Sequence, residues 1–167
     1  YMSLAEKLGA LAGQLEGAEI RSITVEAEGA AAELNIKPIT AAAVAGVMRQ
    51  FSDTVNMVNA PFIARDRNIE IAEVRHERDT DYQTLLRVTL RTPEGERAVA
   101  GTLFAGTTPR LVEIGGIKVE ADFAPRMLYI VNEDKPGFIG RLGTLLGDAG
   151  VNIGTFHLGR RAAGGEA

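Results

Sequence analysis

The sequence contains no cysteine, which excludes disulfide bonds and metal sites built on thiolates and agrees with a reducing, cytoplasmic compartment. Aromatic residues make up only 5% of the chain, and no basic cluster is interleaved with them. The net charge is −4. This composition therefore indicates no nucleic acid and no membrane surface as a partner.

Long apolar runs are missing as well. No run approaches the ~18 residues that would cross a bilayer, and the opening residues 1–3 lack the basic region of a signal peptide. The apolar fraction is nevertheless 46% of 167 residues, which supports a packed core. We expect one ordinary domain and part of another.

Groups that carry catalysis are few. His76 and His157 are the only imidazoles, and neither has an acidic residue at metal-ligand spacing, so we interpret both as solvated or packed. No serine has the context of a nucleophile elbow. The spacing Gly137-x-x-Gly140-x-x-Gly143 differs from the Gly-x-Gly-x-x-Gly of dinucleotide sites. The sequence thus predicts no catalytic, metal or cofactor site in this chain.

Apolar periodicity predicts an α+β fold, with a mixed or antiparallel sheet and two helices in a domain from about 18 to 124. A first helix, 1–17, opens with a capping box of Ser3 and Glu6. The domain's two helices are predicted from Pro38 to about Phe51 and over 56–67. Its strands are predicted at 20–27, 69–75, 84–91, 98–104, 111–114 and 118–123, with a hairpin turn at 92–95.

A third unit, 125–167, follows a hinge at 124–126. Its pattern predicts a strand at 128–131, a polar loop, a helix, a left-handed cap at Gly150 and a strand at 151–156. The apolar stripe of the helix is expected to be buried; it comprises Ile139, Leu142, Leu146 and Ala149.

The loop offers groups that suit a small zwitterion. Short polar side chains fall where strands meet the helix, and the helix opens with free N–H groups at the positive end of its dipole. The candidate residues are Asn132, Asp134, Gly137, Phe138, Ile139 and Asn152. Two plainer interpretations stay open. Asp134 could be a solvated carboxylate that stabilises the helix by ~0.3–1 kcal/mol, and Asn152 could be a turn residue.

Three glycines, Gly140, Gly143 and Gly147, lie on neighbouring sides of this helix. Each costs roughly 1 kcal/mol relative to alanine, so a close approach of other atoms must offset the cost. That approach could be tight packing on a sheet, or it could be made by a ligand or a partner subunit.

The motif N-x-D-K-P-G-x-I-G-x-x-G-x-x-L-G followed by G-V-N-I resembles an ACT domain, a small module that binds amino acids. Segments upstream are similar to the intervening domain of long D-3-phosphoglycerate dehydrogenases. They are VNMVNAPFIARDRNIEI (55–71), DYQTLLRVTL (81–90), AVAGTLF (98–104) and PRLVEIGGIKVE (109–120). The resemblance covers nearly the whole chain, with its segments in the order of that family.

The resemblance implies a regulatory fragment of a larger enzyme. Residues 1–17 would be the helix that leaves a nucleotide-binding domain, and 125–167 an incomplete ACT domain, the first β-α-β of a ferredoxin-like β-α-β-β-α-β unit of roughly 70 residues. The parent would oxidise 3-phosphoglycerate with NAD on the route to L-serine. This chain alone would be inactive, bind no cofactor, and self-associate through its ACT and intervening domains.

The resemblance also implies roles for particular residues. L-Serine would be the effector, and the Asn of G-V-N-I, here Asn152, would reach it across a dimer interface. Arg110 lies in the segment where some relatives hold a phosphate-bearing ligand, but Asp122 stands where one of them has a second cation, which weakens that anion site. Two alternatives remain: a freestanding amino-acid sensor, and the regulatory part of an iron–sulfur L-serine dehydratase, whose expected S-S-S-H-T motif is absent.

Overall fold

The computed structural model describes residues 1–17, 19–76 and 81–160. These residues form four helices and six strands, which confirms the α+β class. The arrangement is compatible with an intervening domain followed by the start of a ferredoxin-like unit. In chain order the elements are α1 (Met2–Leu15), β1 (Ser22–Gly29), α2 (Ile36–Met48), α3 (Ala60–Asp66), β2 (Glu70–His76), β3 (Thr84–Thr92), β4 (Gly95–Phe104), β5 (Thr108–Ile114), β6 (Ile117–Asp122) and α4 (Phe138–Asp148).

The six strands form one mixed sheet in the order β2-β1-β3-β4-β5-β6. β1 and β2 are parallel, and α2 and α3 make the crossover that parallel strands require. The remaining neighbours are antiparallel. The turn that joins β3 to β4 begins at Thr92, whose hydroxyl accepts a hydrogen bond from the N–H of Glu94 at 3.2 Å. The predicted hairpin is therefore confirmed.

The main core lies between the helices and one face of the sheet. Alternate residues of the strands point to this face, so Ile23 and Val25 of β1 belong to the same buried cluster as Leu4 and Leu8 of α1, and all four are fully buried. The apolar side chains of α2 are almost all buried in the same core. The opposite sheet face carries charged and polar residues as well as a small second cluster.

The starts of the first two helices differ from the prediction. α1 begins at Met2 with Tyr1 as its N-cap residue, so the capping box of Ser3 and Glu6 is wrong; Glu6 instead forms an ion pair with Arg49, just beyond α2. α2 begins at Ile36, two residues before Pro38, because the Asn35 side chain accepts a hydrogen bond from the Lys37 N–H at 3.2 Å. Proline is tolerated in a first helical turn.

α1 packs against the elements that follow it in the chain. α1 shares its buried residues with α2 and the sheet, so it is built into the domain that follows it. That this helix leads out of a nucleotide-binding domain stays a prediction.

The residues after β6 contain the predicted helix, α4, and the predicted left-handed cap, since Gly150 has a φ of 71°. Neither flanking segment, 128–131 or 151–156, is a strand, so these two predictions are wrong. In a split β-α-β unit a third strand lies between the two parallel ones, and the described residues contain no such strand to pair with the backbone groups of 128–131 and 151–156. Residues 161–167 of the predicted unit lie outside the described residues.

The apolar stripe of α4 is correspondingly uncovered. No residue of α4 is buried, and Ile139 is 49% exposed. The burial predicted for this stripe is therefore wrong, because the sheet that would cover the helix is not formed.

Candidate functional site

The loop before α4 gathers most of the predicted ligand-binding groups. Asn132 donates a hydrogen bond to the carbonyl of Glu133 at 2.7 Å, and Lys135 forms an ion pair with the Glu133 carboxylate. Gly137, with a φ of 88°, is the N-cap of α4, a left-handed conformation that glycine adopts without strain. Its carbonyl accepts from the N–H of Arg141 at 3.1 Å. The backbone therefore turns sharply into the helix at this glycine.

The N–H groups that open α4 lie beside these side chains. The N–H of Phe138 makes a long hydrogen bond of 3.4 Å to the carbonyl of Lys135. The next one, at Ile139, belongs to the first turn, where helical geometry supplies no acceptor. The start of α4 thus presents hydrogen-bond donors at the positive end of the helix dipole.

Asp134 is held by an arginine in this structure. Arg160 donates to its Oδ2 at 3.0 Å, and the Asp134 side chain is 23% exposed. The preceding residue, Gly159, lies against β6, since a Cβ there would be 2.5 Å from Ile117 Cγ2 and 2.7 Å from the Lys118 carbonyl. The end of the described chain therefore ties the loop to the edge of the sheet. An ammonium group that binds Asp134 would have to share this carboxylate with Arg160 or displace it.

Asn152 follows the other end of α4 in the chain. It is exposed, and the described part of the chain gives it no hydrogen bond to Asn132 or Asp134. The five candidates from 132 to 139 thus lie in one stretch of chain at the start of α4, while Asn152 lies beyond the end of that helix.

The glycines of α4 face open space. A Cβ at Gly140, Gly143 or Gly147 would meet no atom within 4 Å. Tight packing on a sheet, one of the two explanations for these residues, is therefore not what this structure contains. Approach by a ligand or partner remains the prediction.

Arg110 is paired with an acidic neighbour. Its Nε lies 3.0 Å from Asp122 Oδ1, and its guanidinium lies 5.3 Å from the centre of the Phe104 ring. The negative charge of Asp122 would repel an anion bound by Arg110. This agrees with the sequence analysis, in which Asp122 weakens the anion site. The phosphate site stays a weak prediction.

A charged row that sequence reasoning missed crosses the sheet face opposite α1 and α2. Arg87 of β3 forms a two-pronged ion pair with Glu113 of β5, with Nη2 at 3.2 Å from Oε2, and its Nε lies 3.5 Å from Glu26 of β1. The hydrogen bond with Glu113 raises the pKa of Arg87 above its ordinary value. Alternating charged residues in predicted strands were the available signal, but their partners depend on register.

The family model described as "D-3-phosphoglycerate dehydrogenase intervening domain" matches residues 1–115. The chain belongs to this family. Curated proteins named D-3-phosphoglycerate dehydrogenase are similar to the whole length of the chain. The one from Synechocystis sp. is 34% identical over 100% of this chain and 30% of its own length. That of Bacillus subtilis is 34% identical over 100% and 32%, and that of Archaeoglobus fulgidus 36% identical over 96% and 30%.

The alignments cover only part of each relative. The chain spans about a third of the length of each. The family match confirms the resemblance drawn from segments 55–71, 81–90 and 98–104. Within the described residues, no helix has both the length and the apolar character needed to cross a membrane.

Proposed function

We propose that this chain is the C-terminal, regulatory region of a cytoplasmic D-3-phosphoglycerate dehydrogenase, which oxidises 3-phosphoglycerate with NAD. The observation that carries the proposal is the family match over residues 1–115, joined to relatives of that name which align with the whole chain. Under this proposal the hydride chemistry belongs to domains other than the one described here.

The residues described here do not fit NAD. A dinucleotide site needs a strand that leads into a glycine-rich turn and a helix. Residues 123–132, which lead toward α4, form no strand, and the glycines of that helix have another spacing. We therefore expect the 167-residue chain alone to produce no NADH from 3-phosphoglycerate; NADH formation by the purified chain would contradict this assignment.

The regulatory part of the proposal concerns the loop before α4. L-Serine carries a carboxylate, an ammonium and a hydroxyl. The carboxylate would bind the N–H groups from Gly137 to Ile139, where the helix dipole is positive. Asp134 would bind the ammonium, and Asn132 or Asn152 the hydroxyl. The short distance between Asp134 and Arg160 supports the view that this carboxylate attracts a cation.

Feedback would follow if the ligand closed this site against a second module. A ligand that interacts favourably with one arrangement of the domains shifts the protein toward it, and the change in affinity is reciprocal between the two sites. Asn152 supports a site of this kind, because it is exposed and has no hydrogen bond to Asn132 or Asp134 within the described chain. We propose that a second copy supplies this group, as the ACT resemblance implies.

The experiment is calorimetry of L-serine binding to the dehydrogenase that carries this chain. Asp134→Ala should remove a charge-assisted contact worth about 1.5–3 kcal/mol, which weakens binding roughly ten- to a hundredfold. Asp148→Ala, at the other end of α4, is the matched control and should bind as the parent does. Equal affinity of the Asp134→Ala and parent enzymes would show that the site is assigned wrongly.

A further inference from the structure

The sheet face opposite the main core brings together two carboxylates and an imidazole. Glu26 and Glu28 are two residues apart on β1, so both side chains project to the same face. The parallel register then pairs Glu28 with His76 of β2. One oxygen from each carboxylate and one imidazole nitrogen lie within 4.8 Å of one another. Linear spacing does not bring these groups together; the strand register does.

Burial distinguishes this cluster from ordinary surface charges. Glu28 is only 2% exposed, and Glu26 and His76 are half-buried. The three groups stand on paired strands, whose backbones hold them in place. Glu28 already takes part in an interaction, so the argument rests on the converging donors and not on a carboxylate without a partner.

The charge around the cluster supplies a separate argument. Both terminal nitrogens of Arg87 are engaged by Glu113, and only its Nε approaches Glu26, at 3.5 Å. The pKa of Arg87 is raised by its hydrogen bond to Glu113, and the charges of Glu26 and Glu28 add to that rise. Glu26 thus shares this guanidinium with Glu113, which holds both of its terminal nitrogens. A carboxylate that shares its cation in this way attracts a further one.

We propose that Glu26, Glu28 and His76 bind a divalent first-row transition-metal ion. An imidazole nitrogen favours such an ion over Mg²⁺ and Ca²⁺, which prefer oxygen ligands. The donors are close enough for this. Bonds of about 2.1 Å in a tetrahedral site put donors roughly 3.4 Å apart, so small side-chain rotations suffice. Water would complete the coordination.

The ion would join β2, the edge strand, to β1 within the sheet. Since it binds the folded chain and not the unfolded one, it should stabilise the fold in proportion to the logarithm of its concentration above Kd. This role is independent of the serine site and of the parent's chemistry, because it uses neither the loop before α4 nor any other domain.

The test is a Zn²⁺ titration of the metal-free 167-residue chain by calorimetry, with thermal unfolding as the second measurement. We expect one Zn²⁺ per chain and a Tm that rises with Zn²⁺. His76→Gln should weaken binding at least tenfold and abolish the rise in Tm. Glu26→Gln, at a half-buried position, should weaken binding in the same direction. Mg²⁺ should bind more weakly than Zn²⁺.

The chain offers two matched controls. His157→Gln removes the other histidine, which is exposed, and Glu94→Gln removes an exposed carboxylate in the turn between β3 and β4, outside the cluster. Both should keep one Zn²⁺ per chain with little change in affinity. The proposal is overturned if the parent chain binds no Zn²⁺, if His76→Gln binds it as tightly as the parent, or if His157→Gln weakens it equally.

Discussion

The pKa of Tyr82 depends on its surroundings on the sheet face opposite the main core. Its ring packs against Leu85, Ala100 and Val112. Burial, followed by the charge of Glu120, raises the pKa of its phenol above the ordinary 10.0. The folded chain therefore holds this proton at a pH where the unfolded chain has lost it. Stability from this group is fully present below about pH 10 and declines as the pH rises through the folded-state pKa.

We predict that Tyr82→Phe removes part of this alkaline loss of stability. The parent's free energy of unfolding should fall more steeply than the variant's as the pH rises above about 10. Urea unfolding at a series of pH values measures the slope, and the slope is unaffected by a constant loss from the missing hydroxyl. Identical slopes for parent and variant would mean that the phenol titrates as it does in the unfolded chain.

At the same scale, the residues of the loop before α4 could be predicted from the sequence, whereas the cluster of Glu26, Glu28 and His76 could not. Asn132, Asp134 and Gly137 are close in sequence, so a local pattern was enough to place them together at the start of a helix. Glu26 and His76 are far apart along the chain. Their meeting depends on a parallel register that periodicity does not determine, because the register is decided by packing of the whole sheet.

At the scale of elements, the contact between α1 and α2 is made by glycines. A Cβ at Gly46 would lie 2.2 Å from the Glu6 carbonyl and 2.7 Å from the Ala10 nitrogen. These are backbone atoms, which cannot move aside as the end of a flexible side chain would. A substitution here must therefore push the two helices apart.

We predict that Gly46→Ala destabilises the chain by about 1–3 kcal/mol through overpacking, even though alanine is the better helix former by about 1 kcal/mol. Gly140→Ala is the control, since its Cβ would meet nothing within 4 Å, and it should cause no loss. Urea unfolding of both variants gives the comparison. A Gly46→Ala chain as stable as the parent would show that α1 and α2 can separate at little cost.

Element types were predicted well wherever a segment could find its partners within the described chain. All six strands of the sheet and its hairpin turn were expected, with ends shifted by a few residues, because alternation and turn residues are local signals. The segments 128–131 and 151–156 carry the same local signal but form no strand. A strand is stable only when its backbone groups are paired, and local pattern cannot tell whether a partner exists.

For the whole molecule, the exposed apolar side chains after β6 indicate a surface that another chain could bury. Leu145 of α4 is 67% exposed, and Leu128, Val151 and Phe156 are exposed as well. Several large apolar side chains exposed within one stretch of chain are typical of a surface that binds a partner. The ACT resemblance implies a second copy as the partner, and we propose that the chain self-associates through this region.

The proposal predicts an association that depends on concentration and on α4. Sedimentation velocity of the 167-residue chain should show dimers or larger species that increase with concentration. Leu145→Lys removes an apolar side chain whose burial contributes about 1.5–3 kcal/mol, so dissociation should become roughly tenfold easier or more. Val58→Lys is the matched control, because Val58 is 78% exposed but lies on the other domain, just before α3. If the parent stays monomeric at high concentration, or if Val58→Lys weakens association as much as Leu145→Lys does, then α4 is not the surface through which copies meet.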